Sequence, residues 1–576
     1  MRLRKNMKRT AAAALALSMA VSTAAVPASA GYNIDMSDAT KITGDVEIRQ
    51  DADGSGTKIT ISVGGEDKTD QFKNDDEDDK ITITGDNTKS AATTTAAADA
   101  AKDDTKAPET TVTENKDGTV ISYTGELDAQ PDQEVSRPDS QNDQNDPEAD
   151  QKNQGDQADQ NDPEADQKNQ SDPEADQSGQ NNQNKDSEDA DAGIMTYEAP
   201  APTTLTSAVA TVISKVVKII NNVAGEKNAL NITLDNATIE SDSKAAMKIS
   251  GEGDVNIELN HSNVLTSGGH HAGLEKNDKD SSGRLTIRDD LKNDGTAKTD
   301  EEKKAEEDAV AAKKNGDAVK DVGSLTATAT GGSSGGAGIG GGAEGYYDTK
   351  DTSSIVIDGG KITATGGEGA TGIGGGYWGD GGKVNKNDPD DRSQTITING
   401  GNIKATGIGG GAFSNNWGRN GAVTINGGHI QSKAQYGAGI GGGWGGQLGG
   451  KGDVLITGGE IEAEGLRGAG IGGGGSVSND SGNQGGVAKV KIRGENTIIK
   501  KAEGTFGAGI GGGGASNPEQ HKYHYNGGSA EIEITDGATV QEAVGGNGGA
   551  GIGSGAGDGY QYYGYVCVHR RCRQHH

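Results

Sequence analysis

"GGAGIGGG" occupies residues 335–342 and returns six more times in close variants: "GATGIGGG", "KATGIGGG", "YGAGIGGG", "RGAGIGGG", "FGAGIGGG" and "GGAGIGSG". The central isoleucines are Ile339, Ile373, Ile408, Ile440, Ile471, Ile510 and Ile552, so successive copies stand 34, 35, 32, 31, 39 and 42 residues apart. A period in this range marks an array of stacked units. Between copies the chain repeats an alternating strand, a glycine or polar turn and a second strand, as in "IVIDGGKITATG", "ITINGGNIKATG" and "VLITGGEIEAEG". Each unit is therefore strand, turn, strand, glycine motif and a loop of variable length. Two earlier stretches, "NITLDNATIESDSKAAMKIS" and "DVNIELNHSNVLTSGGHHAGLEKN", follow the same plan without the glycines, with Met247 and Leu274 in the isoleucine's place.

One such unit cannot bury its own apolar side chains, but a stack can. Two strands and a third short segment per turn, paired in parallel with the next turn, bury Val and Ile in a shared core. The expected fold is all-β: a single-stranded right-handed parallel β-helix, or β-solenoid, over residues 229–559. Variation in repeat length then falls in the loop after each glycine motif, and these loops leave along one edge.

The first copy also spells G-x-G-x-x-G through Gly336, Gly338 and Gly341. A dinucleotide site needs one such turn followed by an amphipathic helix. Here the motif occurs seven times and precedes segments such as "GYWGDGGKVNKNDPDD", which lack a helical period. Glycine serves instead for positive φ and close approach of stacked backbones. Calcium-binding nonapeptide repeats are also set aside, because their nearest approach, "GGKGDVLI" at 449–456, is not in tandem.

Around this array the composition is segregated. Residues 1–30 carry five basic residues, an apolar run and Ala28-Ser29-Ala30, which reads as a signal peptide cleaved after Ala30, leaving no membrane span and placing the protein outside the cell or at its surface. Residues 31–128 contain short alternating runs and form a small β-rich region. Residues 129–202 have almost no apolar content and repeat "DPEADQ", the composition of a disordered acidic linker. From Thr203 to Val223 the apolar residues step by three and four, so residues 203–228 are a candidate helical N-terminal cap. The charged insert at 290–322 carries Thr299 and Glu302 in capping-box spacing, which predicts an exposed helix. Residues 560–576 form an atypical tail. There Cys567, His569, Cys572, His575 and His576 resemble a metal cluster, but the abrupt change in composition reads as a frameshifted or truncated end.

With a formal net charge of −32, the chain is ill suited to nucleic acid or anionic lipid. Two cysteines, both in the tail, provide no disulfide framework for a monomer of this length. The scarce aromatics concentrate after the glycine motifs: Tyr346, Tyr347, Tyr377, Trp378, Phe413, Trp417, Trp444, Tyr523 and Tyr525. On stacked loops they would form a ladder suited to sugar rings, or fold back as flaps over the solenoid flank. Asp388, Asp390 and Asp391 could supply oxygen ligands to calcium, although such a run is more often a solvated loop. His270 and His271 read as exposed loop residues. No cofactor is implied, and no carboxylate pair stands out for glycoside hydrolysis.

The units "ITINGGNIKATG…GAGIGGG" and "NITLDNATIE…AAMKISGEGDVNIEL" resemble repeat proteins secreted by Firmicutes, some of them grouped with carbohydrate-binding, pectate-lyase-like right-handed β-helices. The resemblance covers about residues 225–559. It implies a surface-exposed, non-catalytic protein that binds polysaccharide or host glycan, with the cell wall as a further partner. A polysaccharide lyase or glycoside hydrolase on the same scaffold, and a structural surface spacer, are the alternatives.

Overall fold

The seven isoleucines lie one above another. Ile339 pairs in parallel with Ile373, Ile373 with Ile408, and so on through Ile440, Ile471 and Ile510 to Ile552. The row continues backward through Leu274 and Met247 to Val217 and Val46. All but Ile552 are buried. Full burial of one such side chain is worth about 1.5–3 kcal/mol, so the row is one seam of a continuous core.

The computed structural model describes residues 30–88, 215–312 and 320–557, apart from breaks at 55, 79, 294, 333, 344–350, 414–416, 477–482, 516–524 and 547. It also describes the separate strands Thr113–Asn115, Gly118–Val120, Tyr565–Val568 and Arg571–Gln574. The signal-peptide and linker segments lie outside the described residues.

Each coil crosses three parallel ladders, and the protein is a parallel β-helix. The first ladder runs from Tyr32–Asp35 and Ile81–Thr84 through strands such as Val255–Asn260, Ile355–Ile357 and Gly452–Ile456 to Ala530–Thr535. The second includes Ser262–Ser267, Ser324–Ala329, Lys361–Thr365, Asn402–Ala405, His429–Ala434, Gly459–Gly465 and Thr497–Gly504. The third is the isoleucine row. Strict alternation sends one face inward: Ile396 and Ile398 are buried while Thr397 between them is half-buried on the outer side.

The N-terminal β-rich region is part of the cylinder. Ile81–Thr84 is inserted between Tyr32–Asp35 and Ile232–Asp235 in the first ladder. Val46–Gln50 pairs with Val217–Asn221 in the third, and the antiparallel strand Gly56–Val63 covers the free edge of Val46–Asp53. Covering that edge blocks further pairing there. Ile81–Asp86 and Val217–Asn221 thus belong to one coil, although 130 residues separate them in the sequence.

The expected helical cap is corrected at its described end. Val217–Asn221 is a strand, held between Val46–Gln50 and Met247–Ser250. Its β-branched residues suit the pleat, and a vacant place between two strands outweighs helical spacing.

Thr299 and Glu302 form the capping box of the helix Asp300–Ala311. The helix is not fully exposed. Ala309 is buried, Glu307 Oε1 accepts from Gly401 N, and Asn402 Nδ2 donates to Glu307 O at 3.0 Å. His429 Nε2 lies 3.1 Å from Asp308 Oδ1. At its base the buried Lys298 ammonium donates to Asp289 and Glu306 carboxylates, each at 2.8 Å. The helix therefore lies along one border of the second ladder, over Asn402 and His429.

Candidate functional site

The connections from the third ladder to the first carry the aromatic candidates, and their roots are ordered by glycine. Outgoing and returning limbs alternate in a hydrogen-bonded zipper: Gly450 N donates to Gly443 O at 2.8 Å, Gly474 N to Gly450 O at 2.9 Å, and Gly486 N to Gly474 O at 2.7 Å. A Cβ on Gly442 would stand 2.0 Å from Gly450 O, and one on Gly473 2.0 Å from Gly486 O. The G-x-G-x-x-G copy is packed just as tightly, since a Cβ on Gly338 would meet Thr365 N at 2.6 Å and Gly372 O at 2.8 Å. These glycines pack backbone on backbone and form no phosphate cradle.

For the described rings this packing matches the flap alternative and not the open ladder. Phe413, Trp444 and Tyr525 are buried. Phe413 meets Trp378 edge-on with ring centres 4.2 Å apart, and Tyr377 at 6.2 Å. The Arg419 guanidinium lies 5.8 Å from the Trp378 ring, and Arg467 lies 5.0 Å from the Trp444 ring. Large apolar rings on short, closely stacked limbs gain more by covering the flank than by facing water. Trp417 is the exception, at 66% exposed. Tyr346, Tyr347 and Tyr523 lie outside the described residues.

The three aspartates do not converge. Asp388 accepts the backbone N–H of Asp390 at 3.1 Å, whereas Asp391 accepts from Asn385 Nδ2 at 3.0 Å and Ser393 N at 3.1 Å. The hydrogen bonds from Asn385 and Ser393 hold the Asp391 carboxyl below its ordinary range. Arg392 turns inward to Asp453, at 2.7 Å, and to Thr424. Among the described residues no group of three or more His, Cys, Asp or Glu side chains is arranged to hold a metal ion. Asp391 does line a groove of about 740 Å³ with Asp380, Lys383, Lys386, Lys451 and Asp453. His271, expected on an exposed loop, points to Glu275 at 2.9 Å, while His270 is exposed.

The larger concavity lies elsewhere, on the outer face of the second ladder. An open groove of about 1160 Å³ crosses successive coils. Its floor is a register row: Thr363 pairs with Lys404, Lys404 with Gln431, Gln431 with Glu462, and Glu462 with Lys501. Tyr436 and Leu466 rise at one side, with Leu466 40% exposed. Tyr436 Oη donates to Glu368 Oε1 at 3.3 Å, and the Arg467 guanidinium lies 5.1 Å from its ring. Burial and the Glu368 carboxylate raise the Tyr436 phenol above its usual pKa. Lys433 pairs with Glu464 at 2.8 Å and Gln431 Nε2 donates to Glu462 at 3.3 Å, so charged and amide groups of adjacent coils meet along the floor. The insert helix lies along the opposite border, because Asn402 and His429 share strands and outer face with Lys404 and Gln431.

Sequence reasoning missed this groove. Tyr436 precedes its glycine motif, whereas the other aromatic candidates follow theirs, and the floor residues are spread over some 140 positions, from Thr363 to Lys501. Equivalent outward positions in successive second strands were the available signal.

Residues 355–377, 423–444 and 454–475 match the family model described as beta helix repeat. Fold and match together define the class, a parallel β-helix repeat protein. No curated protein and no solved structure matches the chain.

Proposed function

We propose that this is an exported, non-catalytic protein that binds polysaccharide along the outer face of the second ladder. The observation that carries the reading is the open groove across successive coils, with a rigid polar floor and Tyr436 at its side. A linear sugar chain needs a long trough, hydrogen-bonding groups at regular intervals and an aromatic or aliphatic face for its C–H surfaces. Strands about 4.8 Å apart supply the interval. The basic and apolar start of the chain, ending in Ala28-Ser29-Ala30, supports export, and no described helix is long and apolar enough to cross a membrane.

Affinity electrophoresis of the full chain through gels containing soluble plant and microbial polysaccharides tests the reading. At least one gel should retard the protein, and Tyr436→Ala should weaken retention by about tenfold, a loss of roughly 1.4 kcal/mol. Trp417→Ala should leave retention by that polysaccharide unchanged. Release of reducing or unsaturated ends would replace binding with catalysis, and absence of retention in every gel would favour a spacer.

A further inference from the structure

The outer face of the second ladder changes character along its length. In the coils before the groove, outward positions carry Val264 and Thr266, then Thr326 and Thr328, then Thr363 and Thr365. They are in register: Val264 with Thr326 and Thr363, Thr266 with Thr328 and Thr365. All six are half-buried, and the inward residues beneath them, Leu265, Ala327 and Ala364, are buried. The result is a flat grid of hydroxyl and methyl groups on a rigid sheet.

No charge falls on these six positions, although 24% of the chain is charged and its net charge is −32. Glu240 borders the grid on one side, through its pairing with Thr266, Lys404 on the other, through its pairing with Thr363, and Lys361 at the start of the strand that carries Thr363 and Thr365. Thr363 and Thr365 also line the groove, so grid and groove form one continuous surface.

We infer that the polysaccharide taken by this face is uncharged and extended, a β-linked chain lying along the cylinder axis over the threonine rows and into the groove. This inference rests on the binding reading above. Each threonine offers a hydroxyl that donates and accepts beside a methyl group. That pairing matches the alternating C–H and hydroxyl surface of a neutral pyranose. An extended β-1,4-linked chain advances per sugar by a step close to the strand spacing, so successive sugars meet successive coils. A polyuronate would find no cation among the six grid positions to offset the desolvation of its carboxylates. Within the groove the cations are Lys404, Lys433 and Lys501, of which Lys433 is engaged by Glu464 and Lys501 by Glu503.

The test is titration of the full chain with hydroxyethyl cellulose, β-1,4-mannan oligosaccharides and β-1,4-xylan oligosaccharides, against polygalacturonate at the same sugar concentration and physiological salt. At least one neutral polymer should bind more tightly than polygalacturonate. Thr326→Glu and Thr363→Glu should each weaken that binding by about tenfold, and Thr363→Ser should retain it, with far-ultraviolet circular dichroism confirming that every variant is folded. Preferential binding of polygalacturonate overturns the inference and leaves the binding reading standing. Neutral binding that depends on Tyr436 but not on the threonines also overturns it. Failure of all four polymers to bind overturns the inference, and overturns the binding reading too only if no gel of the electrophoresis panel retards the protein.

Discussion

The coils on either side of Lys276 solve one problem in two ways. In the earlier coils each strand of the third ladder points two residues inward: Val46 and Ile48, Val217 and Ile219, Met247 and Ile249, all buried. In the later coils only the isoleucine remains, and glycine stands two residues beyond it, as at Gly341, Gly410 and Gly442. The place of the lost side chain is taken by backbone, because the returning limb of the loop crosses there and Gly450 O lies where a Cβ on Gly442 would project. The coil between the two kinds keeps a side chain, Lys276, whose Nζ donates to Ser353 O at 2.9 Å and Ser281 O at 3.2 Å, so a cation meets the carbonyls of the limb. Side-chain packing tolerates trimming at the cost of a cavity, whereas backbone packing tolerates no addition.

Substitutions at matched positions break this comparison most strongly. Gly442→Val should destabilise by about 4 kcal/mol or more, because the obstruction is backbone that cannot rotate away. Its matched counterpart, Ile249→Ala, should cost about 2–5 kcal/mol by leaving a cavity. Chemical denaturation of both variants checks the order. Equal, small effects would mean that the glycine coils are loosely packed.

A smaller effect separates the coils by pH. Burial raises the pKa of Asp289 to about 7, against the opposing pull of Lys298. Because this folded value lies above the ordinary value of 3.8, the group's contribution to stability is complete below that ordinary value. It is lost as pH rises through about 7. Melting temperature should therefore fall more between pH 5.5 and 8 in the native protein than in Asp289→Asn. Parallel curves would mean that Asp289 titrates as an ordinary exposed carboxyl.

Much of the cylinder was legible because its period is written in residues that do the packing. The alternation in "ITINGGNIKATG" marks two ladders, and the lone isoleucine marks the third. The strand at Val217–Asn221 was not legible, because its run of Val and Ile fits either period and the deciding partner, Val46–Gln50, stands 171 residues away. The choice between ladder and flap for the loop aromatics was illegible for a related reason. Phe413 and Trp444 look exposed in a list of loop residues, but the glycines beside them draw the limbs close enough for the rings to cover one another or an arginine. The groove was illegible because each strand contributes only a few unremarkable polar residues, and only the register joins Thr363 to Lys501.

Register is therefore the central claim, and cross-linking between coils tests it most directly. With Cys567 and Cys572 replaced by serine, Lys404→Cys combined with Gln431→Cys puts two thiols on paired outward positions of adjacent coils, and mild oxidation should join them. Lys404→Cys with Ser432→Cys should stay open, because Ser432 is buried on the inward side. Closure of the second pair and not the first would contradict the account.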